Sequence, residues 1–498
     1  MTQILYEEVR NAWELGKFED VVRLVPSRTE HADLSRLRAE AEAALALEKA
    51  AAETKLPSVP TVSSGPKSTL RVLTVLHTSL PYLPGGYSSR AHGLLKAMQK
   101  AGLEVIPVTR PGFYTDVVDK TISAGTEIRD RFDGLDYCHL FAKLPRSAGE
   151  YQYMLSCIEV YEETFARKKP DVIHVRSTYL IALPAIIAAH KCGIRVIYEV
   201  SGLWELVYEG RGQMGLAKRT ARMEDLSVLS ADRVVTMNAS MAKLLSDRAS
   251  QGNLKIGYVP NAVDPTRFEG VPGLESTIAS AGYDIGYFGS LLDYEGLDLL
   301  IRALAKLQRQ GSRYTAKIVG GGPELNKLKA LAESVGLKNS ILFTGSLEPD
   351  SVPREFSDVR VVVLPRVSTP ATECVTPLKP FEAMAARRPM VVSNVNALFE
   401  VAQGGGKSEI AKTFKQGDVD SLADALEELC SNPELQVALA NKAFAFMEKC
   451  HTWDLVGEMM ANECRNVGVA FRPLPQALGW SDGRVHSRTV VNWSRENE

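Results

Sequence analysis

Short apolar runs rich in β-branched residues alternate with amphipathic stretches through most of the chain. The earlier runs are LRVLTVLH, LEVIPVTR, DVIHVRS, RVIYEVSG and DRVVTMN, and the later ones are YDIGYFGS, YTAKIVGGG, SILFTGS, VRVVVLP and RPMVVSN. Strands separated by helices predict βαβ units and a parallel sheet. The rhythm is interrupted at 258–277, a segment that contains prolines and glycines. The pattern therefore predicts two doubly wound α/β domains with a ligand cleft between their carboxyl strand ends.

The two ends of the chain differ from this pattern. Residues 1–55 are rich in Ala, Leu, Glu and Arg without a strand-like run, and the turn ELGKFEDVV resembles that of a tetratricopeptide unit. A solenoid needs about three such repeats, so one repeat favours a helical extension packed on the main body over a docking module. Residues 56–69 have the composition of a linker. The predicted domains are 70–262 and 263–455, followed by a helix at 456–470 and a tail at 471–498.

Composition narrows the class of protein. The 498 residues are 45% hydrophobic and 24% charged, and a net charge of −2 predicts no general affinity for nucleic acid or an anionic membrane. Seven scattered cysteines without a CxxC pair favour a reducing compartment. The acidic start is not typical of a signal peptide, and no apolar run approaches the roughly 20 residues of a spanning helix. We therefore expect a cytoplasmic protein, and a peripheral contact with the inner face of the membrane stays open.

Two glycine-rich turns, each between a strand and a helix, are candidate ligand loops. Gly85 and Gly86 follow the first strand, and their backbone would let an anion or a sugar hydroxyl approach a helix start. A plain turn with positive φ explains the same pair equally well. The second turn, KIVGGGPELNKL, has three successive glycines, which favours a close approach of a nucleotide, although helix capping accounts for Pro323 and Glu324.

The most specific segment is 364–394, LPRVSTPATECVTPLKPFEAMAARRPMVVSN. A strand is predicted to end at Leu364, and a polar loop with four prolines should precede a helix that opens at Phe381. Glu373 and Glu382 flank this loop and suit sugar and ribose hydroxyls, while Lys379 suits a diphosphate. The alternative is that Glu382 caps the helix and Lys379 is solvated.

Three further features carry less weight. Asp418 and Asp420 have the spacing of a divalent-metal pair, but they directly precede an amphipathic helix, which favours capping. His77 ends the first strand without a visible catalytic partner and is interpreted as a lining or core residue. A basic segment could face an anionic lipid headgroup, although a solvated helix face is favoured; its cations are Arg211, Lys218, Arg219 and Arg222.

Five motifs, in order LPGGYSSRAHGLL, VPNAVD, YDIGYFGSLLDYEGLDLLIRAL, IVGGGPE and TPLKPFEAMAARRPMVVSN, resemble the retaining nucleotide-sugar glycosyltransferases of family four. The resemblance covers roughly 70–465, and RSTYLIALPAI with YEVSGLWE is most similar to transferases that build surface polysaccharides. It implies a GT-B fold of two Rossmann-like domains facing a cleft, with the acceptor on the first and the donor on the second. The helix after Trp453 looks like the family's carboxyl helix, which crosses back to the first domain.

The resemblance also implies roles for individual residues. Glu382 would bind the ribose, and Glu373 would contact the donor sugar although the family's position is Cys374. The family's diphosphate-binding Arg and Lys fall on Ser290 and Glu295, so Lys379 and Arg366 are the candidates to replace them. Glu199 falls near the family's first-domain histidine. The remaining donor-binding candidates lie on the loops of the motifs: Gly85, Gly86, Gly289, Ser290, Gly320, Gly322, Pro377 and Leu378.

The function implied is transfer of a sugar from a nucleoside diphosphate sugar to a glycan, a lipid-linked or another hydroxyl acceptor, with no metal or other cofactor and no nucleic-acid partner. Two alternatives remain. A nucleotide-sugar epimerase shares the fold, but its acid and base groups are less well matched by the motifs. A non-catalytic scaffold would explain the departures at Ser290, Glu295 and Cys374.

Overall fold

The computed structural model describes residues 3–54, 69–122, 125, 127–248, 256–406 and 408–467. Of the predicted linker 56–69, only Thr69 is among the described residues, and the predicted tail 471–498 lies wholly outside them. Two parallel-stranded sheets with helices on their faces dominate the fold, as the alternation of apolar runs and amphipathic stretches predicts.

The first sheet has eight strands in the order β3-β4-β2-β1-β5-β6-β7-β8, and only the β3–β4 pair is antiparallel. Its strands are β1 Arg71–Leu76, β2 Glu104–Thr109, β3 Glu127–Phe132, β4 Leu135–Leu140, β5 Val172–Arg176, β6 Arg195–Val200, β7 Arg233–Thr236 and β8 Ile256–Tyr258. The helices are α4 Gly86–Lys100, α5 Phe113–Val117, α6 Glu150–Lys168, α7 Tyr179–Lys191, α8 Trp204–Gly210, α9 Met214–Ser230 and α10 Ala239–Arg248.

The β3–β4 hairpin was missed by the apolar pattern. β3 lies at the sheet edge, and EIRDRF alternates half-buried with exposed positions instead of forming an apolar run. The turn itself carries a visible signal, because Asp133 and Gly134 both have positive φ, at 45° and 83°. Asp-Gly is a preferred pair for a two-residue hairpin turn, so this dipeptide would have predicted the hairpin.

The second sheet has six parallel strands in the order β11-β10-β9-β12-β13-β14. They are β9 Tyr283–Phe288, β10 Ala316–Val319, β11 Ile341–Gly345, β12 Val359–Leu364, β13 Met390–Ser393 and β14 Lys412–Phe414. The helices around them are α11 Leu274–Ser280, α12 Leu297–Gln310, α13 Leu325–Ser334, α14 Val352–Glu355, α15 Pro370–Cys374, α16 Lys379–Ala385, α17 Asn396–Ala402, α18 Val419–Cys430 and α19 Pro433–Cys450.

The segment after β12 differs from its predicted form. The expected polar loop contains α15, because Thr369 and Thr372 form a reciprocal cap: the Thr369 hydroxyl accepts from the Thr372 N–H at 3.1 Å, and the Thr372 hydroxyl accepts from the Thr369 N–H at 2.8 Å. Pro370 occupies the first turn, where its missing N–H has no cost. The next helix, α16, begins at Lys379, two residues before the predicted start.

The amino-terminal extension forms three helices, α1 Gln3–Glu14, α2 Phe18–Leu24 and α3 Ala32–Thr54, which pack on α6, α7 and α9. The Phe18 ring meets the Tyr151 ring edge-on at 5.3 Å, and the Glu40 carboxylate accepts a hydrogen bond of 2.9 Å from the Tyr151 N–H. The apolar core of the first domain continues into the extension. The extension is therefore integral to that core.

Two of the basic residues on α9 face this extension. The Arg219 guanidinium lies 4.7 Å from the centre of the Trp13 ring, and Arg222 donates to the Glu48 carboxylate at 2.6 Å. The expectation that they form a solvated or lipid-facing surface is therefore wrong. The sequence could not reveal the helices that cover them. Asp418 was interpreted correctly as a cap, since its carboxylate accepts from the Asp420 and Ser421 N–H groups at the start of α18.

The last described helix, α20 Trp453–Arg465, lies against α4 of the first domain. Its Asp454 pairs with Lys100 at 2.5 Å, and Glu463 pairs with Arg233 at 2.6 Å. It begins three residues before the predicted 456, since Thr452 supplies the cap. None of the helices described in the structure is both long and apolar enough to cross a bilayer.

Candidate functional site

The candidate site of the second domain forms where the carboxyl ends of β9 and β12 meet. Gly289 follows β9, Arg366 lies two residues beyond β12, and Lys379 begins α16. β9 and β12 are adjacent parallel strands, so the loops after them meet at one edge of the sheet. This is the place where open α/β sheets bind their ligands.

A charged cluster is built at this edge. The Lys379 ammonium lies 2.5 Å from Glu295 Oε1, and the Arg366 guanidinium lies 3.2 Å from the same oxygen. Lys379 also lies 5.0 Å from the centre of the Tyr287 ring. Burial by itself would raise the pKa of Glu295, but the two cations outweigh burial and lower it. Two cations share one carboxylate, so the cluster keeps a net positive charge.

The cluster also explains the departures from the family motif. Glu295 stands where the family has a lysine, and Lys379 reaches the same place from α16. Ser290, in the place of the family's arginine, is exposed, and its carbonyl accepts from the Tyr287 hydroxyl at 2.9 Å. The structure thus brings together the two predicted replacements, Lys379 and Arg366. Their contact with a diphosphate stays a prediction.

The glycines of the second domain's loops allow other parts of the protein to pack closely against them. Gly289 has a φ of 146°, and a Cβ there would collide with Cε of Lys379. A Cβ on Gly320 would meet the carbonyl of Gly289, and one on Gly322 would meet the backbone of Leu291 at about 2.5 Å. Close approach to neighbouring backbone therefore accounts for Gly320 and Gly322 without a ligand, and a Cβ on Gly321 would meet the Ser346 hydroxyl. The predicted donor contact of Gly320 and Gly322 has no separate support in this geometry.

Glu382 lies on α16, one turn from Lys379. Its side chain is half-buried, and no hydrogen bond or ion pair reaches its carboxylate among the described residues. Burial raises its pKa, and the positive charges of Arg267 and Lys379 oppose this only in part. A half-buried carboxylate without a partner is costly unless something else binds it. Glu382 is thus available for a ligand hydroxyl.

Glu373, predicted to contact the donor sugar, is already engaged within its own domain. One carboxylate oxygen accepts from the Ser368 hydroxyl at 2.5 Å, and the other accepts from the Asn396 N–H at 2.7 Å. Asn396 is the first residue of α17, so Glu373 satisfies a helix start. The one-residue offset from Cys374 therefore corresponds to a capping carboxylate in this structure. A contact with the sugar would require both hydrogen bonds to be replaced.

The prediction for Glu199 must be corrected. Its side chain is 0% exposed, and its two oxygens face Arg90 at 2.9 Å, His174 at 3.0 Å and Arg176 at 3.2 Å. Burial favours the protonated form, but the arginines outweigh it and hold the pKa of Glu199 well below its usual range. A carboxylate enclosed in this way cannot touch a substrate. It neutralises buried cations at the end of β6.

Gly85 and Gly86 lie at the carboxyl edge of the first sheet, where α4 begins after β1. Gly85 has a φ of 154°, which favours glycine, whereas Gly86 does not have the positive φ that would require it. No heavy atom lies within 4 Å of a Cβ placed on either residue. The Cβ positions of both glycines are therefore open, and a ligand contact at this loop stays a prediction.

Two buried asparagines that the sequence did not single out join the domains. Asn238 Nδ2 donates to the Cys374 carbonyl at 2.7 Å, and Asn261 Nδ2 donates to the Thr376 carbonyl at 2.7 Å. The weaker contact from Asn261 to the Pro377 carbonyl measures 3.3 Å, so the backbone before Leu378 and Lys379 is fixed by the first domain. Asn261 belongs to the quoted VPNAVD motif, which was the available signal.

A metal site is not formed by the predicted pair. Asp418 caps α18, and Asp420 pairs with Lys306 at 2.8 Å. Within the ranges that the structure describes, no group of three His, Cys, Asp or Glu side chains is arranged to hold a metal ion. The cations Lys379 and Arg366 are the charges this chain itself places at the edge of the second sheet.

Solved structures with a similar fold identify the fold class of this protein. Sucrose-phosphate synthase from Thermosynechococcus elongatus superposes with a TM-score of 0.63 at 16% identity, covering 80% of this chain and 99% of the other. Anabaena HepE, solved in complex with UDP and glucose, gives a TM-score of 0.59 at 16% identity, with 80% and 99% covered. The fold is GT-B, with two Rossmann-like domains and added amino-terminal helices.

Sequence comparison then gives the family. The family model described as Glycosyl transferase 4-like domain matches residues 85–262, and the one described as Glycosyl transferases group 1 matches residues 275–446. The two matches occupy most of both domains. The chain therefore belongs to the group 1 glycosyltransferases, as the resemblance predicted.

Individual relatives are distant. An uncharacterised glycosyltransferase of Methanocaldococcus jannaschii is 24% identical over 393 residues, which are 77% of this chain and 94% of that protein. The α-D-kanosaminyltransferase of Streptomyces kanamyceticus is 27% identical over 183 residues, 37% of this chain and only 45% of that protein. At these sequence identities, the sugar and acceptor used by a relative do not indicate which ones this chain uses.

Proposed function

We propose that the protein transfers a sugar from a nucleoside diphosphate sugar to a hydroxyl acceptor held in the cleft, without a metal ion and with retention of the anomeric configuration. The observation that carries the proposal is the cluster of Lys379, Arg366 and Glu295 beside the unpartnered Glu382. In this arrangement Glu382 accepts from the ribose hydroxyls and the two cations face the diphosphate.

The charge of the cluster suits a leaving group whose negative charge grows during the reaction. Lys379 and Arg366 are already positioned, and their side chains are only 15% and 9% exposed, so water screens them little. The diphosphate would compete with Glu295 for these cations, so binding and catalysis both depend on how the three groups are shared. Other group 1 relatives support a nucleotide donor, including a GDP-mannose-dependent mannosyltransferase of Mycobacterium tuberculosis.

In this proposal the anomeric configuration is retained because the acceptor hydroxyl attacks the donor sugar on the same face from which the diphosphate departs. Glu373 and Glu199 are both engaged, so neither is placed as a nucleophile for a double displacement. The departing diphosphate would instead be stabilised by the cations while the acceptor hydroxyl approaches from the same side. Glycan and lipid-linked hydroxyls both fit this scheme.

The experiment is a donor panel with UDP-, GDP- and ADP-sugars. For one donor we expect slow transfer of the sugar to water in the presence of a chelator, which releases the nucleoside diphosphate and the free sugar. NMR should show that the released sugar has the anomeric configuration of the donor before it mutarotates. Absence of binding to every nucleoside diphosphate in calorimetry would overturn the proposal and favour the scaffold alternative. A product that depends on added Mg²⁺, or an inverted anomer, would overturn its metal-independent or its retaining part.

Gly86→Ala offers a sharp test of where the donor lies. The methyl group meets no protein atom within 4 Å, so the melting temperature should not change, while a donor that approaches this backbone should bind more weakly. Gly273→Ala is the matched control, because Gly273 has equally open surroundings and ordinary φ near α11. Unchanged donor affinity in Gly86→Ala would remove this loop from the site.

A further inference from the structure

The carboxyl edge of the first sheet contains buried polar atoms that lack partners. His77 Nδ1, Ser79 Oγ and Arg110 Nε are each buried, and none has a hydrogen-bond partner among the described residues. His77 follows β1 and Arg110 follows β2, which is the neighbouring parallel strand. Such atoms are rare in folded proteins and commonly mark a place that another molecule fills.

The same edge has positive charge that the protein leaves unpaired. Arg146 follows β4 and Arg211 follows α8; both are exposed, and no ion pair or hydrogen bond reaches either side chain within the described ranges. The neighbouring carboxylates are occupied, since Asp116 binds Arg110 at 2.7 Å and Glu150 accepts from the Tyr179 hydroxyl at 2.7 Å. The two arginines are therefore free to meet an anion from outside.

The strand order brings these groups to one edge, because they follow β1, β2, β4 and β6 of the same sheet, and electrostatic effects agree with this placement. The pKa of His77 is lowered to about 3 by burial and, in addition, by the charges of Arg110 and Arg146. The pKa of Tyr208 is raised mainly by burial, and the charges of Arg146 and Arg211 oppose the shift. Arg211 also acts on Tyr294 of the second domain. The charges of Arg146 and Arg211 thus act on groups of the first sheet's carboxyl edge, and that of Arg211 also acts on the second domain.

Aromatic rings lie at the same edge. Tyr82, in the loop after β1, meets Tyr114 of α5 edge-on at 5.5 Å. Trp204 is 46% exposed on α8, and its ring centre lies 5.9 Å from that of Tyr208. Half-exposed rings with a few convergent polar groups are typical of pockets that bind organic ligands. We name the residues His77, Ser79, Arg110, Arg146, Tyr208 and Arg211 the acceptor edge.

We propose that the acceptor edge binds an acceptor that carries a phosphate or carboxylate close to the hydroxyl that receives the sugar, with Arg146 and Arg211 as the ligands of that anion. The inference rests on the proposed transferase function and adds the chemical class of its acceptor. The half-buried, neutral His77 ring would lie against the sugar, whereas Ser79, at 1% exposure, lies beneath the surface that the sugar would contact.

The shared chemistry, a sugar beside an anion, can come from an acidic sugar or from a lipid diphosphate sugar. Four probes separate the two sources: methyl glucoside, methyl glucuronide, farnesyl glucoside and farnesyl diphosphate glucose. Dissociation constants are measured by calorimetry on the full chain, at low and at high salt. At least one anionic probe should bind about tenfold tighter than its neutral counterpart, the scale of one charge-assisted hydrogen bond.

Variants decide whether the named residues cause the preference. Arg146→Gln and Arg211→Gln should each reduce it, and it should weaken with salt. Arg131→Gln is the matched control, since Arg131 is an exposed arginine of the first domain on β3. The inference would be overturned if neutral and anionic probes bound equally or if no probe bound. It would also be overturned if the variant carrying both Arg146→Gln and Arg211→Gln still preferred the anionic probes. Donor binding is titrated separately. If the wild-type protein binds a nucleoside diphosphate but shows no preference for anionic probes, only this inference fails and the proposed function stands.

Discussion

The two domains each enclose a carboxylate between cations, and the two clusters differ in how far they are closed. In the first-domain cluster, Glu199 is surrounded by Arg90, His174 and Arg176, and none of the four side chains is more than 3% exposed. In the second-domain cluster, Glu295 holds Arg366 and Lys379, and Lys379 is 15% exposed beside the unpartnered Glu382.

This difference separates a structural role from a binding role. Arg90 also donates to the carbonyls of Val259 and Pro260 and to Asn261 Oδ1, so its guanidinium is bound within the protein. Arg176 Nε lies 3.2 Å from Glu199 without a hydrogen bond, but it is enclosed and no substrate can reach it. Each cluster has one carboxylate for two permanent or protonated cations, so the difference lies in exposure: Lys379 of the second-domain cluster is 15% exposed and lies one turn from the unpartnered Glu382. A perturbed carboxylate alone therefore does not mark a catalytic site; an incompletely satisfied group next to open space is the better indicator.

The largest effect is expected from Glu199→Gln. Two buried arginines would lose their counter-charge, which typically costs about 3 to 5 kcal/mol of unfolding free energy. Because the pKa of Glu199 is lowered in the folded state, its stabilisation is complete above the unfolded pKa of about 4 and is lost as the pH falls further, so the difference between variant and wild type should shrink in acid.

Urea unfolding at several pH values measures this, and Glu104→Gln is the control. Glu104 makes an exposed pair with Arg71 in the same sheet, so its loss should cost less than about 1 kcal/mol. A Glu199→Gln protein as stable as the control at neutral pH would show that the first-domain cluster is not structural.

Lys379→Ala should mainly lower turnover. If Lys379 stabilises the leaving diphosphate, losing this donor costs about 100- to 1,000-fold in kcat, and donor binding should weaken less. Steady-state kinetics with donor titration on Lys379→Ala and Arg366→Ala, with the exposed Lys329→Ala as control, measures this. Near wild-type kcat in Lys379→Ala, together with a collapse in Arg366→Ala, would assign the role to Arg366.

Asn261→Ala tests the link between the clusters. Its Oδ1 accepts from Arg90 at 3.0 Å while its Nδ2 holds the Thr376 carbonyl, so the first-domain cluster and the backbone before Lys379 share one side chain. Leaving these buried groups unpaired should cost about 1 to 3 kcal/mol and also weaken donor binding. Asn462→Ala, on the exposed face of α20, is the control. Loss of stability with unchanged donor binding would show that the link is only structural.

Glu295→Gln should have the smallest effect, and in the opposite direction. Removing the carboxylate frees both cations for a diphosphate, so nucleoside diphosphate affinity at pH 7 should rise about tenfold, the scale of one charge-assisted hydrogen bond. Calorimetry measures the affinity, with Glu324→Gln as control because Glu324 pairs with the exposed Lys327. Weaker binding in Glu295→Gln would mean that the carboxylate positions Lys379 more than it competes with the ligand.

Local patterns were sufficient for the architecture. The alternation of apolar runs and helices predicted both parallel sheets, and five ordered motifs predicted the family. The edge hairpin was missed because β3 carries charged residues instead of an apolar run. The short helix α15 was missed because a segment with four prolines favours a loop, whereas Thr369 caps a helix there and Pro370 fits its first turn. Both elements have local signals, an Asp-Gly turn and a Thr cap, which an apolar pattern alone does not weigh.

The sequence by itself determined which residue types stand at the strand ends, and through the family resemblance it selected Lys379, Arg366 and Glu382, which the structure brings to one edge of the second sheet. Only the tertiary structure decided which charges are satisfied. Glu199 and Glu373 have the same chemistry as Glu382, but one is enclosed by arginines that come from α4 and β5, and the other caps a helix 23 residues further on. Partners far apart in the chain set the burial and hydrogen bonding of a carboxylate, and these two quantities decide whether it can bind a substrate.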